Sequence, residues 1–282
     1  MKIFLFVLTA LTVFSVFAEI KKNPDANTLW SMETASKKGW YQNTLSRGIR
    51  PNPNGGFFIG DDNPVNNGHV ARHKVPVSKD YPWLVWDMTE VYTFNAGRYQ
   101  RWSLSIQGLN GGIGSVTNVE KGLAAVNCFD NAKPLKPGTK EGILRAYFFD
   151  VEIGFTAIKM VKKPDNYIVT SSPAFARKKC FSPGDEVKFT VYLKEPAEDV
   201  TLKVIDINYL YDVAVNGKNV LELQPEDKEQ KIWSTRVKIK SLKCGSRKIG
   251  ALLTRATVLG GGFKVPLWGA INYPYKESNK GK

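Results

Sequence analysis

The chain has 282 residues, with 40 Lys and Arg against 26 Asp and Glu, two histidines and three cysteines. So small and odd a cysteine count excludes a disulfide-dense scaffold. The formal charge of +14 directs attention to anionic partners: acidic polysaccharide, a cell envelope or nucleic acid.

The first eighteen residues, "MKIFLFVLTALTVFSVFA", carry one lysine, an apolar run and small residues at the end. They read as a secretory signal peptide, which places the mature start near Glu19 and the protein in a secreted or periplasmic compartment. Loss of Lys2 leaves a formal charge of +13. No later stretch reaches the roughly 18 apolar residues of a membrane helix, so no transmembrane segment is expected. An exported chain without a nucleic-acid reader motif is not expected to bind nucleic acid.

Downstream, short alternating segments broken by Gly, Pro, Asn and Asp replace any helical periodicity, which points to sandwiches or barrels. "GDDNPVNNG" (60–68) is dense in oxygen donors. Asp61 and Asp62 there fit either a turn or a calcium site, since calcium takes six to eight oxygen ligands. Both histidines follow in "HVARHKVPV", His69 and His73. Gly68 before them and Pro76 after them leave no room for a stable helix. In a strand the two rings share a face about 13 Å apart, too far to hold one metal ion. Either could act alone as a base or as a hydrogen-bond partner to a ligand.

"YPWLVWDMTEV" (81–91) puts Trp83 and Trp86 on opposite strand faces, so one of them faces away from the core. In "GRYQRWSLSIQG" (97–108), Trp102, Leu104 and Ile106 form the core face. Tyr99, Arg101, Ser103, Ser105 and Gln107 line the polar one. "GILRAYFFDVEIGFTAIKMV" (142–161) is further strand material. Its Asp150 and Glu152, with Asp87 and Glu90, are the carboxylates available for glycoside hydrolysis. The Gly-rich "NGGIGSV" (110–116) lacks dinucleotide-binding spacing and reads as a loop. No other nucleophile, metalloprotease or phosphate-loop motif is present.

Composition shifts at 162–186, read as a linker or a domain-starting strand. About seven strands follow, with Asn216-Gly217 as a type I′ hairpin turn in "YDVAVNGKNVLEL". Residues 166–282 hold 20 Lys and Arg against 12 Asp and Glu, a net +8. Residues 231–248 contain seven basic residues and no acidic one. Lys231, Arg236, Lys238, Lys240 and Lys243 are therefore assigned to an anion-facing surface. Cys180 and Cys244 can pair in an oxidising compartment; three free buried thiols are the alternative.

These elements amount to an all-β chain of two β-sandwiches, jelly-roll-like at 19–165 and immunoglobulin-like at 166–282. The strand pattern, "YPWLVWDMTEV" and "LRAYFFDVEIGFTAIKMV" resemble galactose-binding-like jelly rolls of the carbohydrate-binding-module type. That resemblance implies a non-catalytic glycan-binding role. "YTFNAGRYQRW" (92–102) is similar to the Y-F-K-A-G-x-Y segment of jelly-roll alginate lyases, with Tyr99 at the acid/base position. This chain has no Q-x-H motif, and the segment lies mid-chain. The reading is an exported glycan-binding protein, possible acidic polysaccharide included; a polysaccharide lyase or hydrolase and a structural envelope protein are the alternatives. The ligand surface is assigned to Trp83, Tyr99, Arg101, Gln107, His69 and Arg72. No cofactor beyond the calcium at Asp61 and Asp62 is implied.

Overall fold

The computed structural model describes residues 25–36, 39–41, 43–63, 69–95, 101–107, 121–129, 139–172, 182–206, 211–260 and 266–274. The leader at 1–18, Tyr99, the side chain of Arg101, the loop at 110–116 and Cys180 lie outside them.

Among the described residues there are twenty strands and no helix. The first ten are β1 (Thr28–Met32), β2 (Trp40–Tyr41), β3 (Gly48–Pro51), β4 (Phe57–Asp61), β5 (His69–Pro76), β6 (Trp83–Thr93), β7 (Arg101–Gln107), β8 (Gly122–Asn127), β9 (Glu141–Phe149) and β10 (Val151–Val161). The rest are β11 (Tyr167–Ser171), β12 (Glu186–Tyr192), β13 (Asp199–Asp206), β14 (Asp212–Val215), β15 (Leu221–Glu222), β16 (Gln224–Pro225), β17 (Ile232–Lys238), β18 (Leu242–Lys243), β19 (Ala251–Leu259) and β20 (Leu267–Pro274).

One twelve-stranded sheet runs β18-β14-β13-β19-β20-β8-β6-β10-β4-β3, with β1 on β10 and β15 on β13. Two four-stranded sheets, β2-β5-β9-β7 and β11-β12-β17-β16, complete the fold. The alternation read from the sequence sets the layers. Trp102, Leu104 and Ile106 of β7 are fully buried, as are Leu144, Ala146 and Phe148 of β9. They meet Phe57, Ile59, Leu84, Trp86, Ile153 and Phe155 from the large sheet in one core. Val187, Phe189 and Val191 of β12 and Trp233 of β17 meet Val200, Leu202, Leu252 and Ala256 in a second.

The first core draws mostly on the first half of the chain and the second on the rest, but Ile205, Leu253 and Trp268 join the first core, and the large sheet spans both. β20 lies parallel to β8, pairing Leu267, Trp268 and Gly269 with Leu123, Ala124 and Ala125. The two halves thus share one continuous hydrogen-bonded sheet.

Two local outcomes refine the sequence expectations. The alternating run 142–161 is broken at Asp150, whose φ of 54° turns the chain from the small sheet into the large one. The Asn216-Gly217 turn forms, with φ of 51° and 84°. Its arms do not pair beyond Val215 and Lys218. β14 and β15 both lie along β13 instead, at Val204–Ile205 and Thr201–Leu202. Burial of Val213 and Leu221 against β13 outweighs the local turn preference. Cys128 and Cys244 are buried and are not joined in a disulfide.

Candidate functional site

At one end of the first sandwich a carboxylate and an imidazole face each other across the layers. Asp61 continues the inward phase of Phe57 and Ile59 on β4, and His69 begins the inward phase of Ala71 and Val75 on β5. The Asp61 carboxylate is fully buried. It accepts from His69 Nδ1 at 2.9 Å and from the Ser46 backbone N–H at 2.9 Å. A carboxylate only accepts, so the imidazole proton sits on Nδ1. Ser46 Oγ lies 2.7 Å from Asp61 and 2.6 Å from Asp62. Its single proton serves one of the two at a time.

From Asp62 the network turns onto the outer face of the sheet. Arg47 reaches Asp62 Oδ2 at 3.2 Å through one terminal nitrogen and Glu152 Oε1 at 3.1 Å through Nε. Arg50 grips the same Glu152 with two parallel contacts, 3.0 Å from Nε and 2.6 Å from a terminal nitrogen. Glu152 is buried, and such bidentate pairing compensates a desolvated carboxylate. The Arg47 guanidinium also lies 4.8 Å over the Phe94 ring, and that of Arg50 lies 4.4 Å over Phe58. Each cation is therefore held in plane by a carboxylate and on one face by an aromatic ring.

Phe58 tilts against Tyr92 with ring centroids 5.8 Å apart. Tyr92 and Phe94 are among the few large hydrophobic side chains exposed to solvent, at 45% and 36%. The Tyr92 hydroxyl donates to Glu90, which also accepts from Asn52 Nδ2 at 3.0 Å. Those hydrogen bonds, Tyr92's first, hold the Glu90 carboxyl below its ordinary range and raise the Tyr92 phenol. The hydrogen bond from Ser46, then that from Arg47, lowers Asp62 in the same way. Arg47 in turn is raised, chiefly by Glu152. Beside this network a cleft of about 630 Å³ is lined by Trp40, Asn43, Ser46, Arg47 and Arg50.

Of the residues assigned to a ligand surface, His69 joins this cluster, beside the Asp61 and Asp62 assigned to calcium. The other histidine, His73, lies apart from it. It sits between Trp30 and Trp40, with centroids 5.4 and 5.2 Å away. Gln107 is exposed at the end of β7, and Arg72 stands opposite Arg145 on the outer face of β5. Trp83 does face away from the core, as expected, but it packs on Tyr167 at 4.9 Å, and Tyr167 stacks on Tyr192 at 4.6 Å. The two carboxylates assigned to calcium carry nitrogen and hydroxyl donors, one of them a guanidinium. Among the described residues no group of three or more His, Cys, Asp or Glu could hold a metal ion.

Asp150 and Glu152 are not a hydrolytic pair facing a common space. Asp150 accepts from Asn95, and both oxygens of Glu152 are taken by arginine. Asp87 faces a second cavity, of about 280 Å³, where burial raises its carboxyl.

Sequence reading missed Ser46, Arg47, Arg50, Tyr92 and Phe94. A signal existed for Asp61, in phase with Phe57 and Ile59 and so aimed inward. Arg50 belongs to a strand of only four residues and Arg47 lies just before it, a segment too short to show a period.

Comparison of the chain with protein-family models, with curated proteins and with solved structures returns no match.

Proposed function

We propose that the protein is an exported glycan-binding protein whose sugar site is the surface formed by Arg47, Arg50, Glu90, Tyr92 and Phe94. The carrying observation is the juxtaposition of two exposed aromatic rings with two guanidinium groups already fixed by Glu152. Sugar rings offer apolar C–H faces to aromatic side chains and hydroxyl groups to planar donors and acceptors. Arginines held in place before the ligand arrives lose little rotamer freedom on binding.

Charge refines the reading. Arg47 and Arg50 are paired with Asp62 and Glu152, two positive groups against two negative, and the nearby Glu90 is offset by Lys121. Recognition at this surface works through oriented hydrogen bonds and stacking rather than net attraction. Neutral sugars and uronates are both accommodated.

A glycan array followed by titration calorimetry on the best ligand tests the proposal. Arg50→Ala and Tyr92→Ala should each weaken binding about tenfold or more, the loss of one to two kcal/mol of contact. Absence of retention on every acidic and neutral glycan rejects it.

A second reading, polysaccharide cleavage, draws on the buried Asp61 behind His69. A carboxylate on Nδ1 orients an imidazole so that its other nitrogen can act as a base. Ultraviolet absorbance of an unsaturated product, followed on alginate, pectin and chondroitin, tests it. A flat trace on all three removes the lyase form.

A further inference from the structure

The basic run at 231–248 separates into two parts once its partners are known. Lys231 pairs with Glu229 at 2.9 Å, and Arg236 with Glu186 at 2.6 Å. Lys238, Lys240 and Lys243 are exposed and form no ion pair among the described residues. Glu186 stands opposite Lys238 in register, yet its carboxylate goes to Arg236.

A second chain segment adds a fourth lysine. Asn216, held in the left-handed conformation, clamps residues 238–241 with its side chain. Its Nδ2 donates to the Lys238 carbonyl at 2.9 Å, and its Oδ1 accepts from the Lys240 and Ser241 N–H groups at 2.7 and 3.1 Å. The same turn carries Lys218, also exposed and without an ion pair among the described residues. Lys243 lies across from Ala214 on the strand leading into it. One asparagine thus ties the segment carrying Lys238 and Lys240 to the turn carrying Lys218, with Lys243 on the adjoining strand. Like charges brought together this way repel unless an anion lies across them.

We propose that this end of the second sandwich, Lys218 with Lys238, Lys240 and Lys243, is the contact surface for an anionic polysaccharide chain. The inference rests on the glycan-binding reading and adds a second contact for the same polymer. β18 and β3 are opposite ends of the ten-strand path through the large sheet. At about 4.8 Å per strand the two surfaces lie roughly 40 Å apart. A short oligosaccharide reaches one of them; a long chain reaches both and gains from the linkage.

The test compares alginate and chondroitin sulfate polymers with alginate-derived tetrasaccharides at low and physiological salt. It uses the wild type, the triple variant Lys218→Glu, Lys240→Glu, Lys243→Glu, and a control triple, Lys74→Glu, Lys194→Glu, Lys231→Glu. The control makes the same charge change at lysines that already have acidic partners. Thermal melts confirm that both variants fold. Polymer affinity should fall about tenfold or more in the first triple, with a flatter salt dependence, and by no more than about twofold in the control. Tetrasaccharide affinity should be the same in all three proteins.

Equal losses in both triples overturn the inference, because net charge rather than a surface is then acting. Tighter binding of duplex DNA or of phosphatidylglycerol vesicles than of either polymer overturns the choice of partner. If tetrasaccharides bind and polymer affinity ignores these lysines, this inference fails alone. If neither tetrasaccharide nor polymer binds, this inference fails, and the glycan reading falls with it when the array of neutral and acidic glycans is also blank.

Discussion

Leu267 and Trp268 are sequence neighbours on β20 that belong to different hydrophobic cores. Leu267 belongs to the core that holds Val187, Leu202 and Leu252, and Trp268 to the core that holds Leu84, Trp86 and Leu253. Both are nearly inaccessible to solvent. At Leu267–Gly269 the strand is buried on both faces, and each face serves one core.

It follows that the halves unfold together. Leu267→Ala should cost about 2–5 kcal/mol and Trp268→Ala about 3–5 kcal/mol. Each should shift a single urea transition, seen identically by tryptophan fluorescence and far-ultraviolet dichroism. Two resolved transitions would show that the shared sheet does not couple the halves.

Gly60 lies directly across from Glu152, and a Cβ there would come within 2.5 Å of the Glu152 Cβ. Gly60→Ala should therefore displace Glu152 and loosen both arginines. Overpacking of this kind costs about 1–3 kcal/mol. The expected result is a folded protein with a lower melting temperature and weakened glycan binding, read by calorimetry. Full affinity in this variant would mean that Glu152 does not position the guanidinium groups.

His69→Ala leaves the buried Asp61 with Ser46 as its remaining donor among the described residues. Stability should fall by about 1–3 kcal/mol, the usual consequence of leaving a buried acceptor short of a partner. Glycan affinity should hold within about threefold, since the sugar surface lies on the other face of the sheet. A large loss of affinity with little loss of stability would place His69 in contact with ligand.

Asp87 gives a pH-dependent outcome. Burial raises its folded-state pKa above the unfolded value, so its ionisation opposes folding at neutral pH. That penalty disappears as pH falls below the folded value and the carboxyl becomes neutral. Asp87→Asn should raise the melting temperature at pH 7 by about 1–3 °C and change it little in acid. Asp62 and Glu90 act in the opposite direction, because their lowered pKa values stabilise the fold above the ordinary carboxylate range. That support is lost as acid protonates them. In the Asp87→Asn protein the acid side of the stability profile should therefore steepen. An unchanged profile would show that Asp87 is as well solvated in the folded chain as in the unfolded one.

Much of the fold was legible because alternation is local. Trp102, Leu104 and Ile106, or Val187, Phe189 and Val191, declare their buried face within a few residues. The opposed faces of Trp83 and Trp86 were legible for the same reason. What alternation cannot carry is pairing between distant strands. Nothing near Leu267 announces that it lies beside Leu123, and nothing near Leu221 favours Thr201–Leu202 over the adjacent turn. The site was half legible. Asp61, Asp62 and His69 drew attention as rare or clustered residue types. Arg47 and Arg50 gain their meaning only from Glu152, some hundred residues away. Tyr92 and Phe94 gain theirs from exposure, which aromatic content alone does not reveal.

The corner at Asp150 has a consequence for what the chain can tolerate. One residue there separates a strand of the small sheet from a strand of the large one, so the phase of β10 as far as its irregularity between Phe155 and Ile158 is counted from that position. Inserting one residue after it would invert the first half of β10. Ile153 and Phe155 would then face solvent, and Glu152 would point into the core away from both arginines. Core and sugar surface are thus in step with each other, and a frame slip at one corner would erase both at once.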